Sequence, residues 1–187
     1  AHFIEENKRF ELMPKEYQEL KTQGLIKEFT AFQLGKQLKV IYAESDNPGL
    51  AGFLRSRAIG ADLVIQKAST GHTNFVSKQQ AHLQLKKLAR LVKLLEAEKN
   101  NITLPAGSLN HLEMPGRTEK LPHWFYDSRA NTLQNGGLNP QGIPATLLTY
   151  ADIERLVKDG LNIQREENFT KSNPYKVSKG KGVVYLD

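Results

Sequence analysis

Apolar positions recur along this chain with two different spacings, and the switches between them mark its elements. The opening stretch "EENKRFELMPKEYQELKTQG" is polar with spaced apolar residues and predicts a helix. Pro14 suits the first turn of a helix, where its missing amide hydrogen would have had no partner. Gly24 suits the stop, because glycine enters the left-handed region without a steric penalty. "LIKEFTAFQLG" fits either spacing, whereas "KQLKVIYAES" predicts a strand, since Val40, Ile41 and Tyr42 favour a pleated surface. "DNPGLAGFLRSRAIG" opens on turn residues and then offers about two helical turns before Gly60.

The segment "ADLVIQKASTGHTNFVS", Ala61 to Ser77, reads as two strands joined by the turn "ASTG". A four-residue turn sets an expected register of Lys67 opposite His72, Ile65 opposite Asn74, Val64 opposite Phe75 and Leu63 opposite Val76. Strand alternation then assigns Leu63, Ile65 and Val76 to one face, and Val64 and Phe75 to the other. Both faces are apolar, so the sheet is expected to be covered on both sides, at least in part. A helix over 78–98 is expected next, capped by Ser77 with Gln80 completing a capping box. Leu85, Leu88, Val92 and Leu95 form its core stripe, and Lys86, Arg90 and Lys93 occupy another face, with Lys87 adjacent.

From Asn100 to Pro144 prolines and glycines alternate, which predicts one long irregular loop over about 100–145 of functional character. Short strands are expected within it, around "HWFYDSRANTLQNGG". Thr149 should cap a last helix, "YADIERLVKDG", with Gly160 as its stop. The chain thus reads as α+β: a small mixed sheet with a central hairpin at about 61–77, packed by helices. Residues 1–165 make one domain, and 166–187 form a polar, Lys-rich tail with a final strand expected at Val183 to Leu186.

Composition narrows the function classes. The 187 residues suffice for one domain with a real core. No apolar run approaches the ~20 residues that span a bilayer. No secretory signal opens the chain, and Ala at position 1 is expected to mark a processed chain or a piece of a longer protein. The absence of cysteine removes disulfides, thiolate nucleophiles and cysteine zinc sites, which fits a reducing, cytoplasmic setting. A net charge of +6 favours anionic partners, RNA or DNA first, then a nucleotide or other phosphate-bearing small molecule.

Candidate contacts follow from that charge. Lys67 and His72, flanking Ser69, Thr70 and Gly71, either hold a phosphate with backbone amides or simply end a hairpin whose Gly71 supplies a positive φ. Arg55 and Arg57 can grip phosphates or pair with Glu44, Asp46 or Asp62. Lys86 and Arg90 make either a binding stripe or a solvated helix face. Trp124, Phe125 and Tyr126 either anchor the long loop or, beside Arg117, Lys120 and Arg129, stack on bases. His111, Glu113, His123 and Asp127 have no metal-motif spacing, so neither metal nor cofactor is expected.

Enzyme signatures are missing. The order helix, strand, strand, hairpin, helix is shared with restriction-type nucleases, which need clustered acids and a lysine on the central strands. Asp62 is one acid, but "HTNFVSK" carries none. No phosphate-binding G-x-x-x-x-G-K-[ST] loop occurs. The expected function is an intracellular nucleic-acid-binding or phosphate-binding domain without its own catalytic centre, with contacts from Arg55, Arg57, Lys67, His72, Lys86 and Arg90. Two alternatives stand beside it: an enzyme or enzyme fragment acting on a nucleotide or phosphate ester, and a protein-interaction module.

Overall fold

The structure, a computed structural model, describes residues 2–137 and 140–162. The tail from 166, with its expected strand, lies outside the described residues. The elements are α1 (His2–Thr22), β1 (Ile26–Gln33), β2 (Lys36–Glu44), α2 (Leu50–Arg55), β3 (Leu63–Lys67), β4 (Thr73–Ser77), α3 (Lys86–Lys99), β5 (Gly116–Thr118), β6 (Leu121–Asp127), β7 (Thr132–Gln134) and α4 (Tyr150–Leu161). One seven-stranded sheet has the order β1-β2-β3-β4-β7-β6-β5. Its neighbours are antiparallel except β2 and β3, which are parallel and joined through α2. The fold is therefore α+β with a mixed sheet, and the β3–β4 hairpin lies at its centre. The ambiguous stretch after Gly24 is strand β1. It pairs with β2 through a two-residue turn, Leu34 and Gly35, both at positive φ, as a twisted hairpin requires. The 100–145 segment supplies β5, β6 and β7 and so completes the sheet.

The hairpin register differs from the expected one by a single residue. Lys67 pairs with Thr73, Ile65 with Phe75, Val64 with Val76 and Leu63 with Ser77. The connection is five residues, closed by Ala68 N–H donating to His72 O at 2.8 Å and Gly71 N–H to Ala68 O at 2.9 Å. A one-residue slip moves a whole strand's side chains to the other face. Leu63, Ile65 and Phe75 consequently share one face, while Val64 and Val76 share the other with Gln66 and Asn74.

The first face carries the larger core. Val40, Tyr42, Leu63, Ile65, Phe75, Trp124 and Leu133 pack under Leu85, Leu88 and Val92 of the α3 region and Ile153 and Leu156 of α4. Phe75 and Trp124 meet edge-on at 5.6 Å between centroids. The expected helix over 78–98 begins late, and Ser77 does not cap it. Ser77 Oγ donates to Asn131 O, and His82 sits at φ 49°. The Gln33 carboxamide takes both Gln84 N–H and Gln84 O, at 2.9 and 3.0 Å, so that backbone cannot enter helical hydrogen bonding. α4 is capped as expected, Thr149 and Asp152 forming a reciprocal capping box. Gly160, however, lies inside α4: a Cβ there would stand 3.0 Å from Leu88 Cα, so glycine permits the close approach of α3 and α4 and is not a stop. Pro14 likewise lies within α1 and not in its first turn. No helix among the described residues is long and apolar enough to cross a membrane.

Candidate functional site

Among the described residues, helices cover the second face of the sheet over β1, β2 and β3. Met13 and Tyr17 of α1 and Leu50, Phe53 and Leu54 of α2 pack there on Ile41, Ala43 and Val64. Beyond β3, no helix among the described residues covers the same face. Registers across the strands place Gln66 opposite Asn74, Asn74 opposite Gln134, Gln134 opposite Phe125 and Phe125 opposite Arg117. Directly opposed residues share a face. Three carboxamides, an aromatic ring and a guanidinium thus form one row across five strands, with Arg117 resting 5.3 Å from the Phe125 centroid. Gln66, Asn74, Gln134 and Phe125 are half-buried, and Arg117 is exposed.

Gln66, Asn74 and Gln134 floor a cleft of about 590 Å³. One end is walled by Asp46, Thr70 and His72. The Ser69 amide donates to Asp46 Oδ1 at 2.8 Å and holds that exposed carboxyl below the ordinary aspartate range. Arg55 adjoins the cleft residue Ala51 without lining the cleft itself. Arg55 bridges α2 to β4, donating from Nε to Ala51 O at 3.1 Å and from a terminal nitrogen to Ser77 O at 3.1 Å. Burial lowers its pKa, although a guanidinium keeps its charge regardless. Lys78 follows Ser77, and Arg129 lies in the turn whose Asn131 O accepts from Ser77 N and Oγ. Among the described residues, Arg55, Arg57, Lys78, Arg117 and Arg129 form no ion pair with an acid.

The structure separates the residues singled out from the sequence. Lys67 and His72 are not cross-strand partners. Lys67 lines a separate recess of about 390 Å³ with Glu44 and Asp46. His72 belongs to the cleft, but both its ring nitrogens are engaged: Nε2 donates to Ile143 O at 2.7 Å and Nδ1 meets Thr70 Oγ1 at 2.8 Å. Lys86 and Arg90 lie on α3, across the sheet from the cleft. With Lys87 they converge on Glu113, at 3.7, 3.1 and 2.6 Å, and Arg90 is only 3% exposed. Lys93 is fully buried, and desolvation lowers its amine to about 8. Arg55 adjoins the cleft through Ala51, and Arg57 is exposed just past α2.

The aromatic trio divides by strand alternation. Trp124 and Tyr126 enter the core, while Phe125 faces the open side. His111, Glu113, His123 and Asp127 do not converge, and no group of three or more metal-ligating side chains occurs among the described residues. Gln66, Asn74 and Gln134 were not candidates in the sequence. Their only signal there is a polar residue interrupting an apolar strand, which any solvent-facing strand position also gives.

Two buried polar side chains fix the segment 144–147, which follows the cleft residue Pro140. Asn135 donates to His123 O at 2.7 Å and Pro144 O at 2.9 Å, and accepts from Thr73 N at 3.2 Å and Thr146 N at 3.0 Å. The Glu96 carboxylate accepts from Trp124 Nε1 at 2.8 Å, Asn100 Nδ2 at 2.9 Å, Leu147 N at 3.0 Å and Thr146 Oγ1. Buried groups of this kind must be satisfied, and these are. No family model, curated protein or solved structure matches the chain, so the function is argued from the cleft itself.

Proposed function

We propose that this chain binds single-stranded nucleic acid on the open half of its sheet and acts as a binding domain without a catalytic centre of its own. The observation that carries this reading is the row Gln66–Asn74–Gln134–Phe125–Arg117, whose Arg117 pairs with no acid among the described residues. Strands of nucleic acid lie on such faces because bases stack on exposed rings and hydrogen-bond to carboxamides, while phosphates track basic side chains. A duplex hides its base edges and gains little from the row. A hydrolytic reading draws less support, since the one histidine in the cleft has both nitrogens in hydrogen bonds.

The test is fluorescence anisotropy with short labelled RNA and DNA strands. Affinity should fall steeply between about 50 and 200 mM salt, because each neutralised phosphate releases condensed counterions. Arg117→Ala should lower the slope of log affinity against log salt by about one. Phe125→Ala should cost about 1–3 kcal/mol of binding, the usual worth of a stacked base. Absence of binding at low salt sinks the reading.

A further inference from the structure

The hydrogen-bonding groups left for a ligand at the Asp46 end of the cleft form an ordered set. Gln66 donates both amide hydrogens to backbone carbonyls, Ser45 O at 2.9 Å and Asn47 O at 2.8 Å. Its Oε1 therefore remains as an acceptor. Asn74 is engaged the opposite way: its Oδ1 accepts from Asn135 N at 2.9 Å and Gly137 N at 3.3 Å, leaving Nδ2 as a donor. The backbone partners fix which amide atom is which, since a backbone N–H can only donate and a carbonyl can only accept. The two residues are cross-strand partners lining one cleft, so acceptor and donor come from adjacent strand positions. Asp46, which lines the same cleft, adds a charged acceptor: its carboxylate takes the Ser69 amide and side chain and keeps further lone pairs.

The complement of this set is an exocyclic amino group beside a ring nitrogen that accepts. Cytosine presents N4–H₂ next to N3, and adenine presents N6–H₂ next to N1 or N7. Uracil and thymine place a carbonyl where cytosine has its amino group and an N–H where it has its acceptor. Their carbonyl would face Asp46 and Gln66 Oε1, and their N–H would face Asn74 Nδ2. Resting on the binding function proposed above, we propose that the Asp46–Gln66–Asn74 corner selects bases whose pairing edge sets an amino group beside an accepting ring nitrogen, cytosine and adenine, over uracil and thymine.

Oligo(C) and oligo(U) RNA of one length test this, because the two bases differ only at the discriminating edge. Oligo(A) and oligo(dT) extend the comparison to the purine and to DNA. Wild-type protein should bind oligo(C) at least about fivefold tighter than oligo(U), the low end of a good polar base contact. Asp46→Asn keeps an oxygen for Ser69 N and removes the charge from an exposed position. It should bring the oligo(C)/oligo(U) ratio towards one while oligo(U) binding stays level or rises. A general charge effect would instead raise both affinities equally and leave the ratio unchanged. Equal wild-type affinities, tighter oligo(U) binding, or a ratio unmoved in both Asp46→Asn and Gln66→Met would each overturn the selectivity and leave strand binding standing. Failure of every strand to bind at low salt would remove strand binding itself.

Discussion

Replacing Glu96 with Gln asks how much of the packing of segment 146–147 against α3 and β6 hangs on one buried carboxylate. Glu96 is fully buried and its two oxygens receive four donors from β6, the end of α3 and the segment 146–147. In Glu96→Gln one oxygen becomes an NH₂ that points at donors. Placed at Oε2, it opposes Leu147 N–H, although Asn100 Nδ2 keeps its second bond, 2.8 Å to Glu96 O. Placed at Oε1, it opposes Trp124 Nε1–H, although the Thr146 hydroxyl can turn to accept. Either way one buried donor loses its acceptor, which costs roughly 1–3 kcal/mol, and the remaining bonds lose their charge assistance. Against this, the neutral amide avoids the carboxylate's desolvation. With four donors already replacing water around the charge, that recovery is the smaller effect, and a net loss of about 1–3 kcal/mol is expected. Trp124 is the only tryptophan, so urea unfolding followed by its fluorescence reads the change directly. Hydrogen exchange at Leu147 N should accelerate in parallel. A loss under about 0.5 kcal/mol, or a gain, would refute the reasoning by showing that desolvation outweighs the hydrogen bonds.

Two further outcomes are expected. Phe75→Ala, at a fully buried position against Trp124 in mid-sheet, should lower unfolding stability by ~3–5 kcal/mol; a near-neutral effect would contradict its placement in the core. Lys93 titrates near 8 when folded, below its unfolded value, so the unfolded chain holds more protons from pH 8 upward and stability should rise there, by on the order of 2 kcal/mol before tyrosine ionisation near pH 10 opposes it. Lys93→Met should abolish that rise and stabilise the protein at pH 7; an unchanged pH profile in the variant would show that Lys93 is not its source.

The sequence by itself determined the order of elements, because that depends on local periodicity and on turn and cap chemistry. Gly24, the Gly60 break, the Thr149 capping box and the strands around "HWFYDSRANTLQNGG" all act within a few residues of themselves. It also determined the charge excess that directs attention to anionic partners. Tertiary structure decided what local pattern leaves open. One residue of turn length set the hairpin register and moved Phe75 to the other face. Gln33, remote in sequence, kept the backbone at Gln84 out of α3. Glu113 drew in Lys87 and Arg90, which are buried, and paired with the exposed Lys86. The cleft belongs to the same class: Gln66, Asn74, Gln134, Phe125 and Arg117 align only when strands from distant parts of the chain pair in one register. Among the described residues, α1 and α2 pack on β1, β2 and β3 and leave that row uncovered. A strand's own alternation says that it has two faces, and only its neighbours decide which of them meets solvent.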